Sequence, residues 1–357
     1  MAVDADTRRR GRSLPRRRER TEDGRRLLSA GHALVIMALA LLFGALLNAP
    51  GLHKSAYNQP AGSEREVALA VTGGLESVSH ALLLDRPRAL LKDALGRSDD
   101  DRIDTEIALP PQAPPPPALS PAQPAPRART AFTPERKLKL WIAGDSLVVN
   151  PGYSIVRAAA ASPVIEPVGQ VDGRIATGLE RPDVFNWFTH VREQLRELRP
   201  KAVVLGFGAN DDHDYMTGLP EGVALDGFGG PAWTREYRRR VGGLMDTVTR
   251  TGAFLVWIGL PITSDEEQSY RFDVINAAVV AEAKERAGEV AFVDTYTTFA
   301  GDDGGYAEYL EDSAGRLQKV RAGDGVHFER AGGDIIAREV LRRLNEAYDL
   351  TSWRSKR

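Results

Sequence analysis

Leu138-Lys-Leu-Trp-Ile-Ala-Gly144-Asp145-Ser146-Leu147 is a short apolar run that ends on a glycine and delivers a serine. A run of this length, with one lysine among apolar residues, fits a buried strand, and a serine at its carboxyl end would stand at the edge of a sheet. Further strand-like runs follow at 164–168, 202–207, 254–260 and 290–293. Between them lie helical stretches at 155–161, 182–198, 233–251 and 270–287, with a last one at 330–348. Apolar strands alternating with amphipathic helices predict a three-layer α/β/α domain, doubly wound around a five-stranded, mostly parallel sheet of flavodoxin-like type. Two excursions interrupt the rhythm. One is a glycine- and acid-rich stretch, 212–231; the other is a hairpin formed by 306–310 and 317–321 that leads into Asp324.

Upstream of this domain the chain changes character three times. Residues 1–29 are dominated by arginine, and 30–49 form an apolar run just long enough to cross a bilayer. Arginines on one side only place the N-terminus in the cytoplasm and the rest outside. A cleaved signal peptide is the closest rival reading, with Leu47-Asn48-Ala49 and Lys54-Ser55-Ala56 as loose cleavage sites. The length of the arginine-rich segment favours an uncleaved signal-anchor. Residues 50–108 form a membrane-proximal segment, helical over 64–95, with breaks expected at Gly73-Gly74 and Pro87. Residues 109–133, rich in proline and alanine, read as a semi-rigid spacer, and 134–352 form the catalytic domain. The formal net charge of −2 argues against a nucleic-acid partner. With no cysteine, thiol catalysis, disulfides and Cys-ligated metals are excluded.

A serine hydroxyl becomes a nucleophile only when a base takes its proton and a third group fixes that base. Near the end of the chain, Asp324-Gly-Val-His327 offers both, three residues apart on a loop before the last helix. The developing oxyanion then needs fixed donors. Asn210, in Gly208-Ala-Asn210-Asp211, follows the strand 202–207, and Gly178 presents a backbone N–H unshielded by a side chain; the Ser146 N–H faces the same crevice. Gly169 and Gly173 are rivals to Gly178 on one connection. Asp211-Asp-His213-Asp214 has metal-ligating chemistry but reads as a solvated acidic loop, since a serine mechanism needs neither metal nor cofactor. His80 and His190 read as structural or surface groups, Asp145 as a loop anchor, and Arg174, Arg181 and Trp187 as either cleft-lining or packing residues.

In order and approximate spacing these motifs resemble the GDSL-type SGNH hydrolase superfamily, over roughly residues 136–350. The resemblance implies Ser146 as nucleophile, His327 as base, Asp324 as its acid partner, and Gly178 and Asn210 with the Ser146 N–H as the oxyanion hole. The surrounding Thr177-Gly-Leu-Glu-Arg-Pro-Asp183, Trp257-Ile-Gly-Leu-Pro261 and Asp324-Gly-Val-His-Phe328 are similar to an exported branch related to cell-envelope O-acetyltransferases and acetylesterases. The expected function is therefore an extracytoplasmic serine esterase or O-acyltransferase acting on envelope glycan or glycolipid esters, with a membrane acyl-donor protein as a conceivable partner. The alternative is a non-catalytic protein that binds envelope glycan in the same cleft.

Overall fold

Helix α1 (Ala30–Leu47) carries no charged residue, and its large apolar side chains, Leu34 to Phe43, are all exposed. At 1.5 Å per residue it extends about 27 Å, close to the thickness of a bilayer core, so the apolar run is a helix long and apolar enough to cross a membrane. The computed structural model describes residues 30–59, 63–95, 101–111 and 129–352; the basic tail 1–29 and most of the proline-rich spacer lie outside them. Helix α2 (Ala49–Tyr57), which the sequence pattern did not predict, follows at once, with Pro50 in its first turn where no N–H is missed. Then come α3 (Ser63–Ala81) and α4 (Arg86–Ala94), bent by 88° across Leu82–Asp85. The break expected at Gly73-Gly74 does not occur. Both glycines sit inside α3, which packs along α2; a β-carbon on Gly73 would make an ordinary contact, 3.5 Å from the His53 ring.

Residues 101–111 run extended along the domain. Asn186 Nδ2 donates to the Glu106 carbonyl at 2.9 Å, and Ile107 and Leu109 pack against the core. Leu109 fills the space above Gly243. The end of the membrane-proximal segment and the first spacer residues thus belong with the domain, for which their apolar side chains provide the reason.

The sheet is built from β1 (Leu138–Gly144), β2 (Ile165–Pro167), β3 (Asp172–Gly173), β4 (Ala202–Gly206), β5 (Phe254–Ile258) and β6 (Val290–Val293). Its order is β2-β1-β4-β5-β6, every pair parallel, with two-residue β3 beside the carboxyl end of β1. All five expected strands are present. Helices α5 (Val149–Ala160) and α10 (Arg330–Ala347) pack together on one face, and α6 (Trp187–Leu198), α7 (Pro231–Thr249) and α8 (Glu266–Glu285) cover the other. The short α9 (Thr295–Thr298) and the hairpin β7 (Tyr309–Glu311) and β8 (Leu317–Lys319) follow β6. Helix α6 begins at Trp187 rather than Pro182, because the Asn186 side chain caps it by accepting from Thr189 N at 3.1 Å. β1 is the topological switch: one connection leaves toward β2 and the next returns to β4 on the other side. In open α/β sheets, ligands bind outside the strand ends at such a point. Ser146 follows β1 and Asn210 follows β4.

Candidate active site

The turn bearing Ser146 is fixed from below. Gly144 has φ +156, and a β-carbon there would lie 2.1 Å from the Gly206 carbonyl, so only glycine permits β1 to pass β4 this closely. Asp145, fully buried, then caps the 3-10 turn Ser146–Val148. Its Oδ1 accepts from Leu147 N at 2.9 Å and its Oδ2 from Ala209 N at 3.0 Å. One carboxyl therefore ties the serine turn to the loop that carries Asn210, the anchoring role expected of it.

His327 arrives on the loop between β8 and α10. Asp324 Oδ1 accepts the N–H groups of Val326 and His327 at 2.9 and 3.0 Å, closing a tight turn, while its Oδ2 lies 2.7 Å from His327 Nδ1. The opposite ring nitrogen, Nε2, lies 2.8 Å from Ser146 Oγ. Partial burial raises the Asp324 carboxyl, but the two backbone donors and the His327 ring outweigh it and hold it down at about 2. A carboxylate that stays ionised can keep the imidazole proton on Nδ1 and leave Nε2 to accept from serine. Two residues that the sequence did not single out support this loop. Arg321, fully buried, donates to the Val326 carbonyl at 2.6 Å and to those of Gly325 and Ile262, and Asn150 Nδ2 donates to the Phe328 carbonyl at 2.7 Å.

On the other side of the serine, Asn210 Nδ2 donates to the Thr177 carbonyl at 2.9 Å, which sets its amide beside Gly178 and leaves it a second hydrogen to give. Gly173, a rival for the glycine role, instead pairs with Gly144 in the sheet. Gly178 must be glycine, since a β-carbon would fall 2.0 Å from Asp211 Oδ1. Asp211 holds the segment after Gly178 by accepting from Leu179 N and Glu180 N, both at 2.9 Å, and it also accepts from Tyr237 OH at 2.9 Å. Arg240, likewise buried, donates to the carbonyls of Leu179 and Glu180. The solvated acidic loop is thus corrected at Asp211, which is fully buried because its carboxyl is the clamp on a backbone turn. His213 rests on buried Glu180 at 3.0 Å, and Glu180 also accepts from Trp233 Nε1. No cluster suited to a metal occurs among the described residues.

The remaining candidates fall on the packing side. Trp187 is fully buried with its Nε1 on Thr177 Oγ1 at 2.9 Å, and Arg181 is buried against Asp183. His190 pairs with Asp172, and Arg174 lies over the Phe185 ring at 4.0 Å. Beside Thr177 opens a cavity of about 630 Å³, lined by Gly173, Arg174 and Phe185 of the domain and by Lys54, Ser55 and Arg88 of the upstream helices.

Buried acids around the site hold their protons unusually tightly. Burial pushes the Asp145 carboxyl up to about 7, with the charge of Asp211 adding and the N–H donors opposing. Burial likewise pushes Glu180 up to about 8, so that the Glu180–His213 pair keeps a proton between its two members. Each acid therefore binds its proton more strongly folded than unfolded, so the stability it contributes is complete in acid and is lost as pH rises from the ordinary carboxyl range through 7 for Asp145 and 8 for Glu180. The thermal midpoint of the full chain in detergent should fall between about pH 5 and pH 8, and Glu180→Gln should flatten that fall. A midpoint rising with pH across this window would contradict the assignment.

A family model described as "Protein of unknown function (DUF459)" matches residues 139–343, well over half of the 357-residue chain. The chain belongs to the DUF459 family. No curated protein matches it. Among solved structures, this DUF459 protein is similar to a GDSL-like lipase from Bacteroides thetaiotaomicron, at 14% identity, covering 60% of this chain and 90% of that one with a TM-score of 0.41. It is similar also to a catalytic mutant of an acetylxylan esterase from Geobacillus stearothermophilus, at 18% identity over 60% and 95% of the two chains, TM-score 0.39. A third is an alpha/beta hydrolase enzyme from the metagenome of Lake Arreo, at 16% identity over 62% and 98%, TM-score 0.40. The SGNH resemblance of this DUF459 protein is carried by its own motifs, with Ser146, Gly178 and Asn210 on loops that follow strands of the sheet and Asp324 and His327 on the loop before α10.

Proposed function

We propose that this DUF459 protein is a membrane-anchored serine esterase or O-acyltransferase, with its catalytic domain outside the cytoplasm. The observation that carries the reading is the continuous hydrogen-bonded chain from Asp324 through His327 to Ser146 Oγ, at 2.7 and 2.8 Å. Ser146 attacks an ester carbonyl as His327 Nε2 takes its proton, and Asp324 stabilises the imidazolium. The Asn210 amide, with the N–H groups of Gly178 and Ser146, receives the oxyanion. Collapse expels the alcohol, which takes the proton from His327 and leaves an acyl-enzyme. Water resolves it in a hydrolase, and a sugar hydroxyl in a transferase; His327 activates either one.

The anchor and the arginines before it favour an ester of an envelope glycan or glycolipid, the acyl group being acetyl, and a transferase would draw that group from a membrane donor protein. The test is turnover of an activated acetyl ester by the full chain in detergent, with and without sugar acceptors. Free acetate alone marks a hydrolase and acetylated sugar a transferase. A folded protein that turns over neither would overturn the proposal.

A further inference from the structure

The helices between the apolar span and the catalytic domain expose side chains that water does not favour. Val78, Leu82, Leu83, Leu90, Leu91 and Leu95 are each about half exposed or more. They are not scattered. Successive contacts trace α3 back along the chain toward the span: Arg65 Nε donates to the Tyr57 carbonyl, Thr72 Oγ1 meets His53 Nδ1, and Ser79 Oγ donates to the Leu46 carbonyl at 2.7 Å. Helix α3 therefore ends level with the last turn of α1. There the chain turns through 88° into α4, whose Arg88 guanidinium lies against Gly51, one turn beyond α1. At 100° per residue, Leu90, Leu91 and Ala94 occupy one side of α4, and Leu95 follows at its end. Arg88 and Lys92 occupy another, where both bind Asp101 at 2.7–2.9 Å.

We propose that the end of α3 and the apolar side of α4 form a membrane seat: a surface fitted to the outer leaflet of the bilayer that α1 crosses. Two features single out lipid as the occupant. The patch is continuous with α1, and it lies at the level where α1 leaves the hydrocarbon. A short amphipathic helix set crosswise to its neighbour at that level has the form of an interfacial helix. Asp101 begins the extended strap that packs on α6 and α7, so the seat is joined to the domain through the ion pairs of Arg88 and Lys92. The cavity beside Thr177, lined by Arg88 and Ser55, then opens near the lipid surface. The inference rests on α1 spanning the membrane and is independent of the chemistry at Ser146.

Because the chain lacks cysteine, single-cysteine variants of the full chain can carry one environment-sensitive fluorophore each. Leu91→Cys reports on α4 and Met37→Cys on α1. Glu289→Cys lies just before β6, at the opposite edge of the sheet. In vesicles of phosphatidylethanolamine and phosphatidylglycerol, the Leu91 probe should shift to the blue. Lipid-borne nitroxide should quench it, as it quenches the Met37 probe, while aqueous iodide quenches only the Glu289 probe. If iodide reaches Leu91 while Met37 stays in lipid, the seat is wrong and the span stands. Protection of Leu91 from both quenchers would mean that protein covers it, such as a second copy, and would also overturn the proposal. If iodide reaches Met37 as well, the span and the seat fall together.

Discussion

Ser146→Ala and His327→Ala should each lower kcat for an acyl ester by about 10⁶, and the double variant should be no slower than either single one. The reason lies in the geometry. His327 Nε2 stands 2.8 Å from Ser146 Oγ, so the imidazole acts only through that hydroxyl and the hydroxyl is inert without it. Two residues that perform one step cannot contribute independently. Asp324→Ala should cost less, about 10⁴, because it orients the ring without exchanging a proton itself. The folded state should persist in all of these, since Asp324 is more than half exposed and the site does not fill the core. Steady-state kinetics on the four variants, with far-ultraviolet circular dichroism as the control for folding, checks the prediction. Multiplicative losses in the double variant would mean that serine and histidine serve different steps.

Asn210→Ala should reduce kcat by about 10²–10³ with little change in KM, because the amide meets charge that exists only in the transition state. Asn210 is held by one hydrogen bond to the Thr177 carbonyl at 2.9 Å, so its loss also frees the Gly178 turn on that side. Asp211→Asn separates the two effects. It leaves Asn210 in place but weakens the bonds to Leu179 N, Glu180 N and Tyr237 OH that fix the same turn. Its loss should appear in kcat together with a lower thermal midpoint, whereas Asn210→Ala should leave the midpoint nearly unchanged. A loss of less than tenfold for Asn210→Ala would remove that residue from the oxyanion hole.

What was legible in the sequence was whatever depends on short-range pattern. The strand before Ser146 announces itself because parallel strands are apolar on both faces, and Asp324 and His327 because three residues suffice to close the turn that pairs them. What supports these groups was not legible. Nothing in the local pattern marks Arg321 or Arg240, and only the folded chain reveals that each is fully buried against backbone carbonyls. Asp211 looked like one acid in an acidic loop, although its neighbour Asn210 was identified. The backbone groups it holds, at Leu179 and Glu180, lie more than thirty residues away, and no local period encodes them. The only advance signal was Gly178, where a missing side chain marks the close approach of another group. The same limit explains α3. Gly73-Gly74 predicts a break from propensity alone, and packing against α2 overrides it.

Whether Ser146 is an activated nucleophile can be tested with a fluorophosphonate, without knowledge of the substrate. Such a probe forms a stable adduct with a serine whose proton a neighbouring base can remove. The full-length protein in detergent would be treated with the probe and the adduct located by peptide mass spectrometry. A single adduct on Ser146 is expected, absent from Ser146→Ala and strongly slowed in His327→Ala. A folded wild-type protein that takes up no probe, or takes it up at another serine, would contradict it.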